Sequence, residues 1–252
     1  MKVKVLGSGT STGVPLIGCD CKVCASQNSR NKRLRPSILI EEQGVNCLID
    51  TTPDLRTQVL NFNIKKIDCV LYTHTHADHL HGIDDLRMFN YIQKGSIPIF
   101  ASENDIKTIT TKFDYIFKKE KLLSSKPDLI PNIINKESGF KGLTFLSIPV
   151  YHGYDLINGY RLKSLAYLTD VSKIPESSFE LLEGLDVLMI DALRYQKHPT
   201  HLSVEEAINI SGILKPSRTY LIHMGHKIDY EEIKKTLPPD IIPSYDGLEF
   251  EI

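Results

Sequence analysis

The sequence predicts one domain of mixed α and β structure, and three observations carry that expectation. Eight short apolar runs read as strands, and five stretches between or after them read as helices. Polar residues able to do chemistry stand repeatedly at the C-terminal ends of the apolar runs. At 252 residues, 41% of them hydrophobic, the chain can fill one large core or two small ones. No internal repeat, low-complexity linker or composition break divides it, so residues 1–252 are taken as a single unit.

The strand expectations come in order. Residues 2–7 (KVKVLG), 37–42 (SILIEE), 45–50 (VNCLID) and 67–73 (IDCVLYT) are rich in β-branched and large apolar residues. So are 143–151 (LTFLSIPVY), 165–170 (LAYLTD), 186–191 (DVLMID) and 218–223 (RTYLIH). Helices are expected at about 53–62, 103–113, 175–183, 203–214 and 229–236. The fourth is the best marked: Ser203 stands three residues before Glu206, the spacing of a capping box, and Val204, Ala207, Ile208, Ile210, Ile213 and Leu214 mostly share a face. The stretch 113–140 is the least regular. It is rich in lysine and serine and reads as an insertion over a site or as a surface excursion.

Asp50, His74, Asp170, Asp191 and His223 all end apolar runs or directly follow them. A rigid sheet positions groups at strand ends while the next loop leaves them accessible. One edge of a sheet layer is therefore expected to be the active face.

Composition excludes several function classes. The net charge is −1, so nothing in the overall balance draws the chain to nucleic acid or anionic membrane. The basic run 30–35 (RNKRLR) is a local candidate, more simply read as a solvated face. No apolar stretch reaches the roughly 20 residues of a membrane span, and the first residues do not read as a signal peptide. The expectation is a soluble, cytoplasmic protein without a membrane partner. The 5 cysteines are an odd number, and three crowd into residues 19–24 (CDCKVC), which points to metal rather than to disulfides.

Residues 73–82 (THTHADHLHG) hold four of the 9 histidines. His74-Thr75-His76-Ala77-Asp78-His79 spells H-x-H-x-D-H directly after a strand. On an extended backbone His74 and His76 can converge on one metal, and Asp78 and His79, beyond a turn, face a second. Two ions roughly 3.5–4 Å apart activate water and steady an oxyanion. Imidazole and carboxylate suit zinc, manganese or iron alike. The alternatives are a surface histidine run or a mononuclear site.

With Asp50 ending an earlier strand, this motif resembles the metallo-β-lactamase superfamily. The resemblance runs from residues 5–15 (VLGSGTSTGVP) to His226 and implies a four-layer αββα sandwich, two mixed sheets with helices outside. It implies a downstream His, Asp and His, each at a strand end, and His152, Asp170 and His223 match. By resemblance His74, His76 and His152 hold one metal (zinc or manganese), Asp78, His79 and His223 the other, and Asp170 bridges them. Asp50 resembles the aspartate that orients a ligand from behind. The redox branch typically has glutamate where this chain has His76, which favours hydrolysis.

Cys19-x-Cys21-x-x-Cys24 supplies three thiolates, and a structural zinc needs a fourth ligand. The same loop, with a histidine after the last metal-binding strand, occurs in the branch containing phosphoribosyl 1,2-cyclic phosphate phosphodiesterase. By that resemblance Cys19, Cys21, Cys24 and His226 bind a structural zinc. The other reading is three reduced, buried cysteines. Cys47 and Cys69 lie inside apolar strands and read as core.

Phosphodiester cleavage needs a group that protonates the leaving oxygen or neutralises phosphate charge. The phosphodiesterase branch, ribonuclease Z included, places a histidine before a helix ahead of the last ligand. His201 fits, with His198 as runner-up. Asp78 and His201 are thus the candidate catalytic residues. Arg87 is a candidate phosphate contact, or a surface partner of Asp84 or Asp85. His81 has no role. Ribonuclease Z itself carries a long tRNA-gripping arm, and only residues 171–200 separate Asp170 from His201. The expectation is a metal-dependent phosphodiesterase for a small, cyclic or open, sugar or nucleotide phosphodiester. A thioesterase or lactonase, a ribonuclease Z-like enzyme and a non-catalytic zinc-binding accessory protein are the alternatives. The resemblance also implies a homodimer, since the family often dimerises.

Overall fold

The computed structural model describes residues 1–118 and 125–252. Among these, fourteen strands form two seven-stranded sheets. The first holds β1 (Lys2–Gly7), β2 (Ser37–Glu42), β3 (Val45–Ile49), β4 (Cys69–Leu71), β5 (Ile97–Ala101) and β6 (Leu129–Ile133). The second holds β7 (Glu137–Phe140), β8 (Leu143–His152), β9 (Asp155–Leu162), β10 (Leu165–Leu168), β11 (Val187–Asp191), β12 (Arg218–Ile222) and β13 (Ile241–Pro243). The last strand, β14 (Glu249–Glu251), returns to the first sheet beside β1. Each sheet is antiparallel on one side and parallel on the other, the switch falling at β3 and at β10.

Alternation along the strands builds three apolar layers. Val3, Ile38, Cys47 and Leu71 of the first sheet meet Phe145, Tyr160, Tyr167 and Met189 of the second in a core between the sheets. The opposite residues of the first sheet, among them Leu39, Leu48, Val70 and Ile99, pack under α1 (Leu55–Asn61), α2 (Ala77–Leu80), α3 (Leu86–Gln93), α4 (Glu103–Lys112) and α5 (Asp114–Phe117). Ile148, Leu168, Leu188 and Leu221 of the second sheet pack under α6 (Glu176–Phe179), α7 (Val204–Leu214) and α8 (Tyr230–Thr236). A strand covered on both faces is apolar where it is covered, which is why Ile38–Ile40 of β2, Cys47–Ile49 of β3 and Val187–Ile190 of β11 read as continuous hydrophobic runs. The result is the expected αββα sandwich. No described helix is long and apolar enough to cross a membrane.

The capping box is present: Ser203 Oγ accepts from the Glu206 amide at 3.3 Å, and Glu206 Oε2 accepts from the Ser203 amide at 2.9 Å. The stretch 113–140 is more regular than its composition suggests. It gives α5, then the edge strand β6 of the first sheet and the edge strand β7 of the second, and so carries the chain between sheets. Residues 119–124 of that stretch lie outside the described residues.

The active edge draws on both sheets, not on one layer. Asp50 follows β3 and His74 follows β4 in the first sheet, while His152, Asp170, Asp191 and His223 end or follow β8, β10, β11 and β12 in the second. The two edges are stitched together. Asn158 N donates to Thr73 O at 3.0 Å, and Tyr160 Oη donates to Tyr72 O at 2.6 Å.

Candidate active site

The ligand atoms of His74, His76 and His152 lie within 4.8 Å of one another, and so do those of Asp78, His79, Asp170 and His223. Asp170 also groups with His152 and His201, which sets it between the two clusters. Three backbones are held in the left-handed region here, at Asp50 (φ 64°), Asp170 (φ 56°) and His223 (φ 58°). Such residues persist only where the surroundings over-determine them, and they concentrate at functional sites.

Hydrogen bonds fix how the imidazoles face the site. His152 Nδ1 donates to Thr200 O at 2.9 Å. His79 Nδ1 sits 2.7 Å from Asp50 Oδ2, whose carboxylate also accepts from the Thr73 amide and from Thr73 Oγ, each at 2.8 Å. Because the Thr73 hydroxyl is spent on Asp50, it accepts from His74 Nδ1 at 3.0 Å. In all three rings Nδ1 carries the proton, and Nε2 turns a lone pair inward.

Those inward atoms test whether a metal fits. His74 Nε2, His79 Nε2, His223 Nε2 and Asp78 Oδ2 are buried without a hydrogen-bond partner. Yet His79 Nε2 is 2.9 Å from Asp170 Oδ2 and 3.1 Å from Asp78 Oδ2, and His223 Nε2 is 3.3 Å from Asp170 Oδ1. Atoms this close that do not bond are aimed at a common point. Ligands about 2.1 Å from one ion sit roughly 3.0–3.4 Å apart. Buried lone pairs facing one another are costly unless a cation lies among them.

The electrostatics agree. Burial opposes charge on His79, yet Asp170, Asp78 and Asp50 hold it well above the usual histidine range. Burial also opposes charge on His223, and Asp170, Asp78 and Asp191 push it up to about 9. Burial favours neutral Asp78 and Asp170, but His79 and His223 hold both carboxyls below the ordinary range. The carboxylates draw positive charge, which a divalent ion would supply to neutral imidazoles.

The cysteine loop folds onto the segment after β12. Sγ of Cys19, Cys21 and Cys24 lie 3.3, 3.6 and 3.7 Å from His226 Nδ1. Tetrahedral zinc, with bonds of about 2.3 Å to sulfur and 2.0–2.1 Å to nitrogen, sets these atoms about 3.6 Å apart. Backbone amides turn toward the sulfurs, Leu16 N to Cys24 Sγ at 3.3 Å and Cys24 N to Cys21 Sγ at 3.5 Å. The Cys24 amide above all holds the Cys21 thiol down to about 6. The donor set fits a structural zinc.

His201 stands over the site. Its Nδ1 is 2.8 Å from Asp191 Oδ2, and its ring stacks on His223 at 4.8 Å and meets His152 edge-on at 4.8 Å. His198 lies 5.2 Å from His201, but its Nδ1 accepts from Thr200 Oγ at 3.1 Å, so it braces the loop that carries His201. Arg87 pairs with Asp84 at 3.3 Å on an exposed face, the ion pair its sequence position allows. Among the described residues no bond or ring contact ties Arg87 to a candidate ligand. Sequence reasoning gave Asp191 no partner, although its strand-end position marked it. Thr73 and Thr200, which orient His74, His79 and His152, carry no sequence signal.

This fold and this constellation define a metal-dependent hydrolase. The model of the Beta-lactamase superfamily domain matches residues 45–224, and the chain belongs to that superfamily. A crystal structure described as a new diphosphatase from the PhnP family is 42% identical, with a TM-score of 0.93 over 100% of this chain and 97% of the other. An octanoyltransferase of Porphyromonas gingivalis is 38% identical over 260 residues, 99% of this chain and 51% of that protein. The chain thus spans about half of that relative. Human tRNase Z, short form, shares the fold at 14% identity, with a TM-score of 0.72 over 100% and 99% of the two chains.

Proposed function

We propose that the chain hydrolyses a small phosphodiester or a diester of diphosphate. The observation that carries this reading is the His201–Asp191 pair, 2.8 Å apart and set directly beside the candidate metal ligands. A 42% identical neighbour described as a diphosphatase supports it. The two substrates are one chemical class at the reacting atom. In a diester of diphosphate each phosphorus carries one negative charge and two bridging oxygens, as in a phosphodiester.

His74, His76 and His152 would hold one divalent ion, Asp78, His79 and His223 the other, and Asp170 would bridge them. Cys19, Cys21, Cys24 and His226 would hold a structural zinc. Ions bound there supply an activated water and offset charge on the phosphoryl oxygens. Asp50 keeps Nδ1 of His79 protonated and aimed. Asp191 holds His201 by Nδ1, which leaves Nε2 to carry a proton to the departing oxygen. His152 and His223 flank that ring and fix its plane. The net charge of −1 supports a small substrate over a long nucleic acid.

An acyl substrate is the second reading, favoured by the octanoyltransferase that shares 38% identity. A thiolate departs without a proton from the protein, so His201 would be dispensable for a thioester. The test is metal content, followed by rates on a bis-aryl phosphodiester, a five-membered cyclic phosphate, a diphosphate diester, a thioester and a lactone, for wild type and His201→Ala. Turnover of the cyclic phosphate or the diphosphate diester that collapses in the variant, with a smaller loss on the bis-aryl ester, is expected. Thioester cleavage alone, with Mn²⁺ and with Zn²⁺, would overturn the proposal.

A further inference from the structure

Two strands that serve the active edge continue into a cavity with no assigned role. β11 and β12 are parallel neighbours that deliver Asp191 and His223. Beyond these residues the chains stay bonded, Gly225 N to Leu193 O at 2.9 Å. Leu193 and Arg194 from one, and His226 and Lys227 from the other, line a cavity of about 210 Å³. Thr10 and Leu16, from the loop after β1, close its third side. Leu193 lies two residues past Asp191, within roughly 7 Å of chain. It also donates from its amide to Leu202 O at 3.0 Å, directly after His201. The cavity therefore adjoins the segments that carry Asp191, His201 and His223.

We infer that this cavity is a subsite for the heteroaromatic base of a nucleotide-type substrate; the inference rests on the phosphohydrolase reading above. Leu16 and Leu193 give it apolar walls. Arg194 is pinned, Nε to Gln196 O at 3.1 Å and Nη2 to Lys197 O at 2.7 Å, so its guanidinium plane is fixed in advance. A fixed guanidinium plane stacks on a flat π-system, and the exposed Lys227 ammonium suits a neighbouring phosphate as a point charge. The volume admits one ring system, not a drug-sized ligand. An aliphatic chain would offer no hydrogen bond to Thr10, a buried polar residue of the lining. The cysteine loop shapes the wall directly: Leu16 N donates to Cys24 Sγ, and Cys19 N donates to Leu16 O at 3.1 Å. The loop beside His226 thereby sets specificity as well as stability.

The test compares two substrates that differ only in the base, adenosine 2′,3′-cyclic phosphate and methyl riboside 2,3-cyclic phosphate, on the full chain with Mn²⁺ or Zn²⁺. The base should raise kcat/KM by about tenfold to a hundredfold. Thr12→Trp, which places a bulky ring at the exposed mouth of the cavity, should drive the ratio of the two values toward one. Lys227→Ala should raise KM for both. Equal kcat/KM in the wild type, an unchanged ratio in Thr12→Trp, or preference for an octyl over an adenosyl phosphodiester would overturn the subsite. If neither substrate turns over, the wider panel of esters above decides the phosphohydrolase reading, and calorimetric titration with adenosine decides the subsite separately. Binding that is lost in Thr12→Trp sustains it, and absence of binding by the wild type removes it.

Discussion

His201 Nδ1 lies 2.8 Å from Asp191 Oδ2, and the two residues reach that distance from different elements, the end of β11 and the loop before α7. Asp191 accepts the Nδ1 proton and orients the ring, so that the protonated form of His201 has its second proton, on Nε2, to donate; burial itself pushes the Asp191 carboxyl up in pKa. His201→Ala should lower kcat by about 100- to 10,000-fold on an alkyl phosphodiester and much less on a bis(4-nitrophenyl) ester, whose leaving group needs no proton. Asp191→Asn should follow the same pattern more weakly. Rates on the two esters, with metal content measured alongside, check this; equal losses on both would remove the acid role.

Cys21→Ser should release about one zinc per chain and lower the thermal midpoint while sparing the chemical step. Elemental analysis and a melting curve read the outcome. Unchanged zinc content and an unchanged midpoint in the variant would show that Cys21 is not a ligand of a structural zinc.

Gly82 is required by packing. A Cβ there would meet Thr52 O at 2.0 Å. The close approach lets Gly82 N donate to Thr51 O at 2.9 Å while Thr51 N donates to His79 O at 2.8 Å, which clamps the metal-binding turn to the Asp50 loop. Gly82→Ala should cost about 1–3 kcal/mol in urea unfolding and lower metal content. Wild-type metal content would show that the clamp does not set His79.

Asp246 gives a pH dependence separate from the metal ligands. Burial pushes its carboxyl up to about 6, against the pull of the Leu34 amide, the Ser8 hydroxyl and amide, and Arg33. A carboxyl raised in the folded state binds protons more tightly there than unfolded. Its contribution is fully present below about pH 4 and is lost as pH rises through about 6, on the order of 3 kcal/mol in all. In urea unfolding the lead of wild type over Asp246→Asn should shrink between pH 4 and 7. A constant difference would contradict the raised value.

The parts of the fold legible in the sequence were those with a dense or alternating apolar pattern. β1, β2, β3 and β11 announce themselves as apolar runs. β9 does not, because Asn158 and Gly159 interrupt it. Asn158 binds across to Thr73, and a Cβ on Gly159 would lie 2.3 Å from Leu168 Cδ2. β5 hides behind Pro98, and α3 behind Met88, Tyr91 and Ile92, apolar residues left on its outer face. The candidate ligands were legible because H-x-H-x-D-H is a local pattern. The partner of Asp191 was not, because pairing two strand ends with one loop depends on strand order, which no spacing encodes.

Each candidate ion draws donors from both sheets: His74 and His76 with His152, Asp78 and His79 with Asp170 and His223, and the three cysteines with His226. Neither half of the sandwich owns a complete coordination shell. Bound ions would act as rivets through the seam, and their escape would be gated by the parting of the two halves. Hydrogen exchange at Tyr72, Tyr160 and Met224, which line that seam, would then slow on metal loading while the outer helices keep their own rhythm.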